Sequence, residues 1–196
     1  MSKVSIIIVT WNSRDYLRAC LDALTENERG DQAEVFVVDN ASSDGSAELV
    51  RASYPHVSLK EADVNLGFAA ANNLAIGACS SEYLLLLNPD TVVHPGAIHA
   101  LIEFMDAHPG AWAAGPMLLN ADGSLQRTGV RFPSVWNMAV EALFLDRAFP
   151  KSRIFGRHRE LYCDPLLARK VDFVQGSCLM VRREPVLERV GLLDDG

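Results

Sequence analysis

The sequence predicts an α/β fold, a mostly parallel sheet flanked by helices on both faces. Short β-branched or leucine-rich runs recur along the first half: Val4–Thr10, Glu34–Asp39, Val57–Glu61 and Tyr83–Asn88. The first of them, Val4–Thr10, suits a strand covered on both faces. Between them lie segments with apolar residues at helical spacing, and alternation of the two periods is the mark of a layered parallel sheet. Each run also ends in a polar cluster, and such sheets bind ligands outside the carboxyl ends of their strands.

Each element has its own signal. The first strand is Val4-Ser5-Ile6-Ile7-Ile8-Val9-Thr10. A helix follows over about Ser13–Leu24, with Tyr16, Leu17, Cys20, Leu21 and Leu24 in phase and Ser13 or Asn12 as its cap. Asp44–Ser53 reads as a second helix with Asp44 at its start, Phe68–Cys79 as an alanine-rich third, and Pro95–Ala107 as a fourth opened by proline. Ala111–Leu119 reads as a fifth strand. The second half is less regular. Asn120–Ser124 is a turn, Pro133–Phe149 has helical character, and Arg147–Arg169 reads as a basic loop or lobe. Val171–Val181 returns to strand character with a break at Gly176, and Glu184–Val190 makes a short helix.

Composition narrows the function. Hydrophobic residues are 49% and charged residues 22% of 196, the balance of one globular core. Eighteen Lys and Arg against 25 Asp and Glu leave a formal charge of −7, which argues against a nucleic-acid partner held by its backbone. No apolar run approaches the roughly 20 residues of a membrane span, and Met1–Val4 leads straight into a strand with no leader pattern. The four cysteines, Cys20, Cys79, Cys163 and Cys178, are far apart and read as free thiols in a reducing compartment. The histidines form no zinc motif.

The turns carry the candidate chemistry. Thr10-Trp11-Asn12-Ser13-Arg14 replaces the glycine-rich turn of dinucleotide-binding proteins, and no P-loop occurs. Asp39 ends an apolar strand at the ligand edge. Its carboxylate can accept the N3–H of a uracil or thymine ring, or serve as a turn residue of Asp39–Ser46. Asn88-Pro89-Asp90 reads equally as an ordinary turn or as a place where a carboxylate meets a hard divalent cation. Asn65, Gly67 and Asn73 frame the third helix, Gly67 allowing close backbone approach and Asn73 offering an amide to the cleft; a turn plus a solvated helix face is the plainer reading. Trp112, Phe132, Trp136, Phe144 and Phe149 read as core or lobe packing. The basic run Arg153–Arg159 is a solvated loop or a contact for phosphate or anionic lipid.

Together these segments resemble the family 2 glycosyltransferases, whose fold is the Rossmann-like GT-A fold. The resemblance rests on Ile8–Asn12, Val37–Ser46, Asn65–Phe68 with Asn73, Leu86–Asp90 in the place of a D-x-D motif, and Phe173–Arg183, in that order. It implies a single GT-A domain over 1–196, with residues 1–119 as the nucleotide-sugar-binding half and 120–196 as a partial acceptor-side half. It implies that Asp39 holds the pyrimidine with Thr10, Trp11 and Asn12 nearby, and that Asn65, Gly67, Asn73, Asn88 and Asp90 line the donor site. Asp90 would hold Mg²⁺ or Mn²⁺ against the diphosphate. Asn88 departs from the acidic first position of D-x-D, so metal affinity would rest on Asp90 and the phosphates. Gln175 and Gly176 would lie in the sugar and acceptor region.

Members most similar to this pattern transfer L-rhamnose from dTDP-rhamnose to a cell-surface polysaccharide or lipid-linked acceptor. The resemblance therefore implies an inverting, metal-assisted transferase, cytoplasmic, with peripheral contact at the inner face of the membrane where the acceptor is lipid-linked. Gly191–Asp195 resembles a family stretch that precedes the catalytic base, so the base is expected beyond Gly196, with Asp194 and Asp195 as weak candidates and a C-terminal part missing. A chain so truncated would bind donor and transfer poorly. Two other readings stay open: a nucleotide-sugar-binding module without catalysis, and a sugar nucleotidyltransferase.

Overall fold

The computed structural model describes residues 2–27, 33–126, 129–130, 134–149, 152, 154–155, 164 and 167–194. In chain order the elements are β1 (Val4–Thr10), α1 (Arg14–Asn27), β2 (Ala33–Asp39), α2 (Ser46–Ser53), β3 (Ser58–Glu61), α3 (Gly67–Ile76), β4 (Tyr83–Leu87), α4 (Ala97–Ala107), β5 (Ala113–Ala114), β6 (Leu118–Leu119), β7 (Leu125–Gln126), β8 (Gly129–Val130), α5 (Val135–Ala142), α6 (Leu145–Ala148), β9 (Phe173–Val174), β10 (Cys178–Arg182) and α7 (Arg183–Arg189). They fall into two compact units, Met1–Ala114 with Gly176–Gly196, and Gly115–Gln175. β10 and α7, late in the sequence, thus belong with the first unit.

The first unit is built on a six-stranded sheet in the order β3-β2-β1-β4-β10-β5. β1, β2, β3 and β4 are parallel, whereas β10 runs antiparallel between β4 and β5. The apolar runs explain the centre. β4 is buried along its whole length and β1 nearly so, and each of Ile6, Ile7, Ile8, Leu84 and Leu85 contributes about 1.5–3 kcal/mol by leaving water. α3 covers one face through Ala71, Ala75 and Ile76, which pack with Ile7, Phe36, Val38, Leu84 and Leu86. Its small side chains let the helix backbone come close to the sheet. α1 buries Leu17, Cys20, Leu21 and Leu24 as their spacing requires, while Tyr16 stays exposed.

Register places the site. Thr10 stands opposite Asp39, so β1 and β2 end level, and Leu87 stands opposite Ile8, so β4 ends two residues short of them. Because β1 has β2 on one side and β4 on the other, the direction of winding reverses there, and it is outside the ends of strands at such a reversal that sheets of this kind bind ligands.

Two sequence-based elements are corrected. Ala111–Leu119 is not one strand: Ala113–Ala114 joins the main sheet, Leu118–Leu119 pairs with β7 in a separate hairpin, and Gly115-Pro116 lies between them. Proline lacks the N–H that a continuous ladder needs. The helix expected over Pro133–Phe149 breaks at Phe144, whose φ of 54° is left-handed, into α5 and α6.

In the second unit the Asn120–Ser124 turn closes the β6–β7 hairpin, with Ser124 carbonyl accepting from Asn120 N–H at 2.8 Å, and β8 pairs antiparallel with β9. Its aromatics pack on one another rather than in a deep core. Trp136 and Phe149 both stack on Phe155, and Arg147 lies over Phe144, yet Trp136, Phe144 and Phe149 remain more than half exposed. Trp112, in the first unit, is likewise exposed, beneath the Arg189 guanidinium. Phe132 and Cys163 lie outside the described residues. Cys20, Cys79 and Cys178 are free and buried.

Candidate functional site

The loops after β1 and β2 are laced together. Asn40 N–H donates to the Thr10 carbonyl at 2.8 Å. Asn12 takes a φ of 48°, which its short side chain tolerates. In that position its N–H donates to Ser42 Oγ at 3.0 Å, and its Oδ1 accepts from Ser43 N–H at 2.8 Å. Thr10 is fully buried with its hydroxyl 2.7 Å from Ser13 Oγ. Trp11, between them, is 57% exposed, a large apolar surface at the end of β1.

Asp44 does more than begin a helix. Gly45, with a φ of 85°, holds the cap position of α2. The Asp44 carboxylate accepts from Ser46 N–H and Oγ through Oδ1, and from Arg14 N–H at the start of α1 through Oδ2. It therefore fastens two helix starts at once. Burial pushes its carboxyl up, but the Ser46 hydroxyl and the Arg14 and Ser46 amides outweigh that and hold it below the ordinary carboxylate value.

Asp39 is the unusual group. It is 3% exposed. Oδ2 accepts from Ser42 N–H at 2.9 Å, and Oδ1, also buried, has no partner among the described residues. A buried acceptor left unmade costs about 1–3 kcal/mol, and such groups call for an explanation.

Asn40, the next residue, was missed as a site residue by sequence reasoning. It is 3% exposed, and its carboxamide joins β2 to the turn before α3. Nδ2 donates to Asn65 Oδ1 at 2.8 Å, and Oδ1 accepts from Leu66 N–H at 2.8 Å. Asn65 Oδ1 also accepts from Gly67 N–H at 2.9 Å. Gly67 has a φ of 81° and open space where a Cβ would stand. The only signal for Asn40 was its place directly after a strand-ending aspartate.

On the far side of β1, Asn88, Pro89 and Asp90 follow β4. The Ser177 carbonyl accepts from Asn88 N–H at 2.9 Å, so Gly176 and Ser177 run beside this turn. Ser177 Oγ is buried and unpartnered among the described residues, and nothing in the sequence marked it. Gln175 falls in the second unit. The Asp90 side chain is exposed, with no hydrogen bond or ion pair among the described residues. No group of three or more His, Cys, Asp or Glu converges there or elsewhere among those residues. One carboxylate and one amide fit a cation whose other ligands come from a bound phosphate and water. Under this turn Cys20 lies with Sγ 4.0 Å from the Asn88 carbonyl. Burial, then the charges of Asp90 and Cys178, push its thiol up to about 12.

Asn73 lies on α3, six residues after Gly67. Both ends of its carboxamide bond the backbone of Leu193. Asp194 follows directly, and Asp195 lies outside the described residues. Thr10, Trp11, Asn12, Asp39, Asn65 and Gly67 therefore gather at the ends of β1 to β3, with Asn88 and Asp90 across β1 from them. At an interstrand spacing near 4.8 Å, β2 and β4 stand about 10 Å apart.

The sequence model described as "Glycosyl transferase family 2" matches residues 5–189. A relative from Mycobacterium tuberculosis, N-acetylglucosaminyl-diphospho-decaprenol L-rhamnosyltransferase, is 29% identical over 97% of this chain and 64% of its own length. Among solved structures, a mannosyltransferase from Pyrobaculum calidifontis in complex with GDP-Man and Mn²⁺ superposes with a TM-score of 0.65 at 22% identity, covering 98% of this chain and 48% of that one. Residues 1–349 of S. aureus TarS in complex with UDP give a TM-score of 0.66 at 17% identity, covering 98% and 50%. The chain thus spans about half to two thirds of the length of the proteins it matches. The family pattern extends from β1 to α7, the whole sheet with its loops, and the chain belongs to glycosyl transferase family 2, with the GT-A fold.

Proposed function

We propose that this chain is the donor-binding part of an inverting glycosyltransferase that moves L-rhamnose from dTDP-rhamnose to a polysaccharide or lipid-linked acceptor. The observation that supports it most is the unpartnered, buried Oδ1 of Asp39 at the strand reversal. A pyrimidine ring offers that oxygen its N3–H, which answers the missing hydrogen bond. Trp11 supplies an exposed aromatic face nearby. The turn Asn65–Gly67 brings backbone close without a Cβ in the way. The rhamnosyltransferase relative favours the sugar and a lipid-linked acceptor. Family membership disfavours the sugar nucleotidyltransferase reading.

Mg²⁺ or Mn²⁺ fits the Asn88–Asp90 turn, with Asp90 as the charged ligand and Asn88 as a neutral one. An ion held by these residues would supply Lewis-acid stabilisation of negative charge on a diphosphate leaving group. The chain's own groups do the rest: Asp39 orients the base, and the laced loops after β1 and β2 hold that carboxylate still. With Asp39 on the base and Asp90 on the cation, neither is available to take the acceptor's proton. Asp194 and Asp195 are this chain's candidates for that task. A lipid-linked acceptor would bring the protein to a membrane surface, where the exposed Val135, Trp136 and Met138 of α5 offer apolar contact.

Thermal unfolding with dTDP, UDP and GDP, each with and without Mn²⁺, tests the reading. A ligand at one hundred times its Kd stabilises by about 2.7 kcal/mol. A rise in Tm with dTDP or UDP that grows with Mn²⁺ is expected. No response to any pyrimidine nucleotide would remove the donor site.

A further inference from the structure

Asn73 was read from sequence as an amide facing the donor. In the fold its carboxamide engages a distant stretch of backbone. Nδ2 donates to the Leu193 carbonyl at 2.8 Å, and Oδ1 accepts from Leu193 N–H at 3.0 Å. A carboxamide can present the donor and acceptor of a peptide group side by side, and here one N–H and the oxygen both engage one residue 120 positions away. The two partners also settle which end of the amide is oxygen, since a flipped side chain would face donor with donor and acceptor with acceptor.

The local fold delivers Leu193 to that spot. α7 ends with Val190 and Gly191 N–H groups both donating to the Val186 carbonyl, and Gly191 adopts a φ of 89°. That left-handed cap turns the chain back. Leu192 is left 54% exposed, and Leu193 packs against the cluster formed by Ala71, Ala75 and Ile76 of α3 with Ile7 and Leu86 of the sheet. The helix that receives it begins at Gly67, in the turn that Asn40 and Asn65 fasten to β2.

Resting on the donor-site reading above, we propose that Asn73 is a positioning residue for the Gly191–Asp194 segment. It anchors the Leu193 peptide to α3 and so sets where Asp194 stands relative to the donor turn at the head of the same helix. It does not touch the nucleotide sugar.

Asn73→Ala, Asn73→Asp and Asp39→Ala, made in this chain, test the assignment through two readouts: hydrogen exchange of the Leu193 amide, and dTDP affinity with Mn²⁺. In Asn73→Ala the Leu193 amide should lose protection by about fivefold or more, with dTDP affinity within about twofold of wild type. Asn73→Asp adds a signature that loosened packing would not produce. Its ionised carboxylate still accepts from Leu193 N–H but turns an oxygen on the Leu193 carbonyl, whereas the protonated acid restores the donor. The native contact favours the neutral form, so the folded pKa rises above about 3.9. The clamp is then present below that range and lost as pH rises through the folded value. Protection corrected for intrinsic exchange should therefore be highest at the acid end, near about pH 4, and fall towards that of Asn73→Ala by about pH 8.

Equal Leu193 protection in wild type and Asn73→Ala would overturn the clamp, as would a pH-independent Asn73→Asp. A loss of dTDP affinity in Asn73→Ala as large as in Asp39→Ala would return Asn73 to the donor site. Should no nucleotide bind even to wild type, the donor-site reading fails and with it the proposed role; Leu193 protection would then show separately whether the clamp itself stands.

Discussion

The two ends of the central sheet are built to different rules. At the amino ends of the parallel strands, polar side chains satisfy one another. Ser5 Oγ, Ser81 Oγ and Glu34 Oε1 form a closed set with separations of 2.5, 2.7 and 2.8 Å. Tyr83 Oη donates to Asp106 at 2.8 Å, Lys3 pairs with Asp106 at 2.7 Å, and Arg182 pairs with Glu82 at 3.0 Å. Two buried atoms there, Nε of Arg182 and of Arg183, lack partners among the described residues. The recess lined by Ser80, Ser81, Glu82, Arg182 and Arg183 sits at this end, walled largely by groups already engaged. At the carboxyl ends, by contrast, acceptor carboxylates are left over: Asp39 Oδ1 is buried and alone, and Asp90 is exposed and alone among the described residues. Acidic and amide groups at both ends look alike in sequence; what separates them is whether the fold uses up their hydrogen bonds. A recess alone therefore does not mark the site.

The largest effect expected from this contrast is at Asp39. Asp39→Ala should weaken dTDP or UDP binding by about 10- to 100-fold, the worth of a charge-assisted hydrogen bond of about 1.5–3 kcal/mol. Its stability without ligand should change little, because the loss of the Ser42 bond is offset by removal of a buried, half-satisfied carboxylate. Glu34→Ala should do the reverse: a loss of about 1–2 kcal/mol in urea unfolding and unchanged nucleotide affinity by calorimetry. If Glu34→Ala lost the nucleotide and Asp39→Ala did not, the assignment of roles to the two ends would be inverted.

Asn40 is the residue that should blur the contrast. Its amide belongs to the carboxyl end, yet it is fully used, tying Asp39's strand to the Asn65–Gly67 turn. Asn40→Ala leaves Leu66 N–H without its acceptor, a cost of about 1–3 kcal/mol, and frees the turn. We expect both a lowered midpoint in denaturant and a dTDP affinity reduced by about tenfold, since the turn and Asp39 lose their mutual register. A smaller effect falls on the cation. Asp90→Asn should leave dTDP binding without metal unchanged and abolish the increment that Mn²⁺ adds, read as the difference between two titrations.

Much of this was legible in the sequence, and the exceptions have physical causes. β1 and β4 announced themselves because central strands covered on both faces must be apolar throughout, and Asp39, Asn65, Gly67 and Asp90 stood out as polar breaks after the strands. Ala111–Leu119 misled because periodicity records hydrophobicity and not the missing N–H of Pro116. Asn40 and Ser177 were invisible because an amide or hydroxyl next to an obvious candidate carries no pattern of its own. Asn73 was assigned to the donor because its spacing from Gly67 is a local quantity, whereas its partner, Leu193, is reached only through the return of β10 and α7 to the first unit. Local periods predict elements; they cannot predict which distant backbone an amide will find.

The smallest effect concerns reactivity, and it sharpens the contrast from below. Cys20 sits directly under the Asn88–Asp90 turn, at the end of the sheet that carries the open chemistry, and Cys178 begins the strand beside it. Proximity to a site often marks a thiol as functional. Here burial first, and for Cys20 also the negative charge of Asp90, push both thiols up to about 12. The thiolate is the nucleophile, so at pH 8 only about one Cys20 in ten thousand is ionised. Iodoacetamide at that pH should leave Cys20 and Cys178 unmodified in the folded chain and label both once it is unfolded in urea, as peptide mass spectrometry would show. Rapid labelling of the folded chain would mean that the floor beneath Asp90 opens to solvent. The cation would then bind over a mobile base rather than a packed one, and Asp90 could no longer be set apart from the rest of the surface by its rigid support.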